Sequence, residues 1–402
     1  MKKTMKLFFL PLFILSTVTL VGCNSSQQGN ANSLMISEVV DGTERKDLAV
    51  ELYNNTDKGI DLNAYSLCIQ FSEEISSDIR LSGVVKAKET FVFVHKDAVS
   101  DELKAKANGF IFIGLESNNI LYNGKQPLAL KKENKRIDLV GTWNSFGIDY
   151  ATDRTLTRKK EFLFARKTFD EYDWIRYNTD EFSYLGTIEA SVTEEELLLG
   201  PRLEEKDLNA PFSVQQENGQ YLGGGGVMGV TVAYYVDGDT TGFTYSDVDE
   251  ITKLEIEQGT KARYQNIDTP ESYEGNIQRF GIVAKNYTNR ILRSALELKV
   301  QTTINGAIKD TFSRVLAWVW ADEKLVNFEV VKRGYSEVAF GSNDIMMYKG
   351  VSYTSYLYNA MLYAEKKQLG IHGDINGKYG ETDPYWDYKN GHVKDGYKGN
   401  EK

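Results

Sequence analysis

From Ser33 to about Thr187 apolar and polar residues alternate in short segments, and the pattern predicts strands over 34–40, 49–54, 65–71, 90–94, 109–114 and 127–131. Turn residues separate them: Asp41-Gly42, Asn54-Asn55 and Asn123-Gly124. Many short strands joined by polar turns imply a β-sandwich or barrel. The stretch 194–220 is polar and charge-rich and leads into four consecutive glycines, Gly223 to Gly226. Glycine loses the most backbone entropy on ordering, so 189–226 reads as a linker. A second pattern begins at Val227. Strands are expected over 229–236, 254–256, 262–267, 297–303 and 315–320, with helices over 280–296, 326–334 and 353–370. Five strands with helices between and after them suit an OB-type barrel. The fold class is therefore mainly β, in two domains, 33–188 and 227–373, followed by a polar tail, 374–402.

The N-terminus has a different character. Lys2, Lys3 and Lys6 precede the apolar run 7–20, which ends in Leu20-Val21-Gly22-Cys23 and a polar stretch. The run is short for a membrane-spanning helix and has signal-peptide flanks. It looks like a bacterial lipoprotein signal, 1–22, with Cys23 as the lipid-attachment residue and 23–32 as a tether. That resemblance implies acyl anchoring at the extracytoplasmic face of a bacterial cell membrane; a plain secretory signal with a chance cysteine is the alternative. Cys68, the other of the two cysteines, falls in an apolar-alternating stretch and is expected in the core.

In the first domain, Met35-Ile36-Ser37-Glu38-Val39-Val40, Ala49-Val50-Glu51-Leu52-Tyr53-Asn54 and Ile60-Asp61-Leu62-Asn63-Ala64-Tyr65 resemble the start of a lamin-tail domain. Arg154-Thr155-Leu156-Thr157-Arg158, Trp174 and Phe182-Ser183-Tyr184-Leu185-Gly186 are similar to its end. The resemblance implies an immunoglobulin-like sandwich with a binding or positioning role, an unknown ligand and no catalysis. Glu51 and Asp61 could be metal ligands; as strand-edge carboxylates they are expected at the surface.

The second domain carries the candidate chemistry. Asp239, in Asp237-Gly238-Asp239-Thr240, is followed by Arg263, then Asp268-Thr269-Pro270-Glu271, then Phe280-Gly281 with Ala284, then Arg314. Leu316-Ala317-Trp318-Val319-Trp320-Ala321-Asp322 and Leu325-Val326-Asn327 come next. Each motif alone is an ordinary turn or strand; their order resembles the thermonuclease (staphylococcal-nuclease-like) family. That implies Ca²⁺ held by Asp239, Asp268 and the carbonyl of Thr269, hard oxygen donors for a hard cation. It implies further that Glu271 activates water and that Arg263 and Arg314 clamp the phosphate as planar, permanently charged forks. The substrate would be DNA and/or RNA and the chain a monomer. Taken singly, Arg263 could pair with a carboxylate within its strand, and Arg314 could be a surface turn residue.

Charge and departures from the pattern qualify this reading. A formal net charge of −10 excludes attraction of a polyanion by the overall field, so a local patch is needed. Lys261, Arg279, Lys285, Arg290, Arg293 and Lys309 are candidates, or are ordinary solvated charges. His95, His372 and His392 are scattered, so no histidine-based nuclease site is assembled. The interval between Asp239 and Arg263 is long for the family and suggests an extended hairpin over 242–259. Asp310-Thr311-Phe312-Ser313 stands where members often carry Lys-Tyr-Gly, and Phe312 lacks a hydroxyl for phosphate. The alternative function is a non-catalytic nucleic-acid or ligand-binding or adhesion lipoprotein.

Overall fold

The structure, a computed structural model, describes residues 33–188, 192–339 and 345–396. The expected signal and tether, with Cys23, lie outside them. Among the described residues no helix is long and apolar enough to cross a membrane.

Two sheets form the N-terminal half. The larger joins β1 (Leu34–Asp41), β2 (Leu48–Asn54), β5 (Thr90–His95), β6 (Gly109–Ile111), β9 (Thr155–Arg158) and β10 (Trp174–Tyr177) in the order β10-β9-β1-β2-β5-β6. The smaller joins β3 (Tyr65–Gln70), β4 (Ser76–Arg80), β7 (Leu128–Lys132) and β8 (Lys135–Val140) in the order β8-β7-β3-β4. Pairing is antiparallel except between β5 and β6. Ile36, Val39, Val50 and Leu52 from one sheet meet Leu67, Ile69, Leu128 and Leu130 from the other in a common core, which makes the half a β-sandwich. Cys68 is buried.

Strands β1 and β2 are buried along their whole length, because Phe182, Leu185 and Leu103 cover the outer face of the large sheet. The expectation that Glu51 is a surface carboxylate is therefore corrected. It lies on an interior strand, 1% exposed, and accepts from the Ser37 hydroxyl (2.6 Å) and the Gly186 N–H (2.6 Å). Asp61 is exposed, as expected, and accepts from the Asn63 N–H.

The C-terminal half is built on a closed five-stranded barrel. Its strands are β11 (Val227–Tyr235), β12 (Thr240–Tyr245), β13 (Lys261–Tyr264), β14 (Leu298–Gln301) and β15 (Val315–Ala321). They run β13-β12-β11-β14-β15, and parallel pairing of β13 with β15 closes the circle, an OB-type arrangement. Small and branched residues fill the inside: Ala262, Val300, Val315, Ala317 and Val319, with Phe243. Trp318 and Trp320 are also buried, and each indole N–H finds an acceptor, Thr303 Oγ1 and Gln301 Oε1, both at 2.9 Å, as buried indoles require.

Two barrel expectations need correction. The second strand is Thr240–Tyr245, directly after the Asp-Gly-Asp turn; 254–256 is no strand but follows helix Val248–Lys253, which Asp247 caps through the Glu250 N–H. The interval 242–259 accordingly contains a helical turn instead of an extended hairpin. Its local cue was Asp247 two residues before acidic Asp249 and Glu250, a helix-start pattern.

The expected linker carries structure of its own. Helix Glu194–Leu199 starts with a capping box formed by Thr193 and Glu196, and Leu197 and Phe212 enter the core of the C-terminal half. The glycine run makes close backbone contacts: a Cβ on Gly224 would lie 2.2 Å from the Pro211 carbonyl oxygen, and one on Gly226 would lie 2.0 Å from that of Ala210. These glycines allow chain to pass against chain. The halves also touch directly. Ile175, Tyr177 and Tyr184 join the same apolar core as the barrel, and helix Tyr353–Lys366 reaches the sandwich through Tyr358, whose hydroxyl donates to Glu171.

Candidate functional site

Asp239 is held by the turn between β11 and β12. Its N–H donates to Asp237 Oδ1 (3.2 Å), the Tyr264 N–H donates to its carbonyl (2.9 Å), and the Thr288 hydroxyl donates to the Gly238 carbonyl (2.7 Å). Strand β13 and helix α1 (Gly281–Ser294) thus grip the turn from both sides. Asp239 is buried; its Oδ2 accepts the N–H (2.7 Å) and hydroxyl (3.0 Å) of Thr269.

Asp268 ends the short strand Ile267–Asp268, which pairs with Glu337–Val338, and its N–H donates to Ser336 Oγ (2.9 Å). Arg263 projects from β13 between the two aspartates. Its Nη1 lies 2.5 Å from Asp239 Oδ1 and its Nη2 2.7 Å from Asp268 Oδ1. The first contact is an ion pair without good hydrogen-bond alignment. Arg314 enters β15 after a turn in which Ser313 adopts a left-handed φ of 60°. Its Nε donates to Asp310 Oδ2 (2.7 Å), while Asp310 Oδ1 accepts the N–H groups of Phe312 and Arg314. Phe312 is 79% exposed, and the Arg314 guanidinium sits 5.5 Å from its ring centroid.

Glu271 belongs to the same neighbourhood. Burial raises its pKa, Asp239 and Asp268 raise it further, and Arg263 and Arg314 oppose them. The fold therefore gathers Asp239, Arg263, Asp268, Thr269, Glu271 and Arg314 around one rim of the barrel. Asp237, absent from the sequence-based candidates, joins them. Burial and then Asp239 push its carboxyl up to about 7. The signal was present in the Asp-Gly-Asp turn, which brings two carboxylates within one another's field.

Carboxylates that raise one another's pKa on burial form a site short of positive charge, with oxygen donors suited to a hard cation. To this extent the residues fit Ca²⁺. As arranged, Arg263 provides that charge between Asp239 and Asp268, and among the described residues no three acidic, His or Cys side chains are gathered into a coordination shell. Most of the expected basic patch has structural employment. Arg279 donates to the carbonyls of Ile371 and Gly373, Lys309 to those of Leu254 and Glu255, and the Arg290 and Arg293 guanidiniums lie over Tyr287 and Tyr235.

Comparison with known proteins agrees with the barrel. Residues 261–372 match the family described as Staphylococcal nuclease homologue. A thermonuclease of Staphylococcus intermedius is 30% identical over 117 residues, covering 28% of this chain and 64% of the relative. The SPbeta prophage-derived endonuclease YokF of Bacillus subtilis (strain 168) is 33% identical over 115 residues, 28% of this chain and 34% of the relative. A thermonuclease of Staphylococcus hyicus is 31% identical over 80 residues, 19% and 46% respectively. The chain spans less than two thirds of the length of each of these relatives. The similarity is confined to the C-terminal region, and the sandwich lies outside the match.

Proposed function

We propose that the chain is a calcium-dependent nuclease that hydrolyses phosphodiester bonds of DNA and/or RNA. The observation that carries the reading is the gathering of three carboxylates and two arginines at one rim, where Glu271 senses Asp239, Asp268, Arg263 and Arg314 together. Asp239, Asp268 and the Thr269 carbonyl would hold the cation, and Ca²⁺, when bound, supplies positive charge to a phosphoryl oxygen. Glu271, its carboxyl made more basic by burial and by Asp239 and Asp268, accepts the proton of the attacking water. Arg263, once its aspartate partners are engaged elsewhere, presents its fork to the phosphate, and Arg314 beside it stabilises charge that builds in the transition state. Digestion of single-stranded DNA by the full chain tests this directly. Cleavage is expected with Ca²⁺ and its loss with chelator; folded protein that leaves DNA intact in Ca²⁺ would refute catalysis, and retention of that DNA would favour a binding module.

The remaining parts of the reading concern setting. The resemblance at 33–188 supports a lamin-tail-type sandwich that presents the nuclease as a monomer to its substrate, with 227–373 as the catalytic unit. The N-terminal sequence supports a lipid anchor on Cys23 at the extracytoplasmic face of a bacterial membrane. Expressed in a bacterium, a Cys23→Ser variant should appear in the soluble fraction or remain unprocessed; membrane retention unchanged from wild type would overturn the anchor.

A further inference from the structure

The segment after the family match packs against Arg333, Gly370 and Phe280, and its contacts are unlike those of a loose tail. Glu381 forms a two-pronged ion pair with Arg333 (2.8 and 2.7 Å) and accepts the Gly370 N–H at 2.9 Å. Two residues on, Asp383 is 3% exposed. One of its oxygens accepts the Tyr385 N–H (2.8 Å) and the other the Phe280 N–H (2.5 Å), while its own N–H donates to the Tyr388 hydroxyl (2.6 Å).

Phe280 is the residue before helix α1, buried and left-handed with φ 65°, and no side chain of its own caps the helix. A non-glycine residue in that region costs on the order of 1–3 kcal/mol and needs its surroundings to hold it. Asp383 supplies an acceptor from a distant part of the chain, and its negative charge suits the helix N-terminus.

The neighbours of Phe280 fix Glu271. The Gln278 side chain accepts the Glu271 N–H (2.9 Å), and the Gln278 N–H donates to the Glu271 carbonyl (2.9 Å). The Gly281 N–H returns to the Gln278 carbonyl (3.0 Å), and a Cβ on Gly281 would lie 2.0 Å from the Glu271 carbonyl oxygen. A continuous set of contacts runs from the strap through Asp383, Phe280, Gly281 and Gln278 to the backbone of Glu271.

We propose that residues 374–396 are a strap whose Asp383 is a positioning residue for Glu271. The inference rests on the role given to Glu271 above. Removing the Asp383 carboxylate frees Phe280 and lets the 271–281 loop relax, so the glutamate loses its aim at the attacking water without change in the phosphate contacts.

The test is Asp383→Ala in the full chain, with Tyr388→Phe as a milder variant should the first fail to fold. On single-stranded DNA in Ca²⁺, Asp383→Ala should lower kcat on the order of 10- to 100-fold, the effect of misplacing a reacting group by about an ångström, with KM little changed. In a Glu271→Gln background the same substitution should cause no further loss. Amide hydrogen exchange at Gln278, Phe280 and Gly281 should quicken in both Asp383→Ala and Tyr388→Phe, and this reading needs no activity. Unchanged exchange there would overturn the strap. Quickened exchange with losses that multiply in the double variant would overturn the link to Glu271. A wild type inert toward DNA would sink the catalytic reading, and with it the link to Glu271 as a catalytic group, while exchange would still decide the strap.

Discussion

Arg263 shows what a residue's identity tells and what its surroundings add. In the sequence it stands between Asp239 and Asp268 and serves equally as a strand residue with an acidic partner or as a phosphate clamp. The structure gives it both aspartates at once, with the side chain 13% exposed. Identity and order named acids and arginines that the fold brings to one rim; the state of each carboxyl was not legible, because it depends on burial. The same holds for Glu51 in the sandwich. Burial pushes its carboxyl up to about 7 against the opposing Ser37 hydroxyl and Gly186 N–H. Burial and then Glu51 raise Glu38 on the adjacent strand, where Lys106 and Thr157 act in the lowering direction. A carboxyl raised in the folded state keeps its proton where the unfolded chain has released it. Stability therefore falls as pH rises from the ordinary carboxylate range, about 4.5, through about 7, and levels off above. Thermal unfolding should occur at higher temperature at pH 5 than at pH 8. Glu38→Gln should flatten that slope and raise the unfolding midpoint at pH 8. A midpoint that climbs between pH 5 and pH 8, or a slope the variant leaves untouched, would contradict the assignment.

At the scale of elements, the apolar pattern found segments rich in branched residues, even where burial is two-sided, and failed where a buried strand is polar in composition or the backbone itself is the contact. Strands 34–40 and 49–54 appeared close to their observed bounds, and the helices after Phe280 and Tyr353 were placed within a few residues of theirs. The second barrel strand was missed because Thr240–Tyr245, Thr-Thr-Gly-Phe-Thr-Tyr, carries few apolar residues, while 254–256 offers Leu254 and Ile256 in alternation. Both do reach the core, from the turn after a helix. The glycine run looked like a linker because composition reports flexibility of the free chain. In the fold those glycines meet the carbonyls of Ala210 and Pro211, a long-range fact that no local window contains. The strap was hidden for the same reason: Glu381 and Asp383 are unremarkable acids until Arg333 and Phe280 are brought to them.

Over the whole molecule, one apolar core extends from the barrel into Ile175, Tyr177 and Tyr184 of the sandwich, so the sandwich bears on the barrel rather than hanging from it by a loose tether. Helix Tyr353–Lys366 reinforces the junction. The Lys366 ammonium lies 3.9 Å from the Tyr172 ring centroid and the Arg176 guanidinium 4.9 Å from that of Tyr358. Such cation–π contacts strengthen where water is excluded. Under the proposed function this firm mounting suits a chain whose net charge of −10 repels a polyanion at long range, because engagement would then depend on how the rim with Arg263 and Arg314 is presented. Of the two arginines, Arg263 is a poor probe: its loss leaves buried Asp239 uncompensated and would destabilise the fold by roughly 3–5 kcal/mol. Arg314 pairs with Asp310 at a partly exposed turn and can be removed with little effect on folding. The most direct measurement is therefore the initial rate of single-stranded DNA cleavage in saturating Ca²⁺ by the full chain and by Arg314→Ala, with thermal unfolding of both. Cleavage by the wild type and a rate lower by about three orders of magnitude in the variant, at an unchanged unfolding midpoint, is the expected result; a variant that cleaves at close to the wild-type rate would contradict the account.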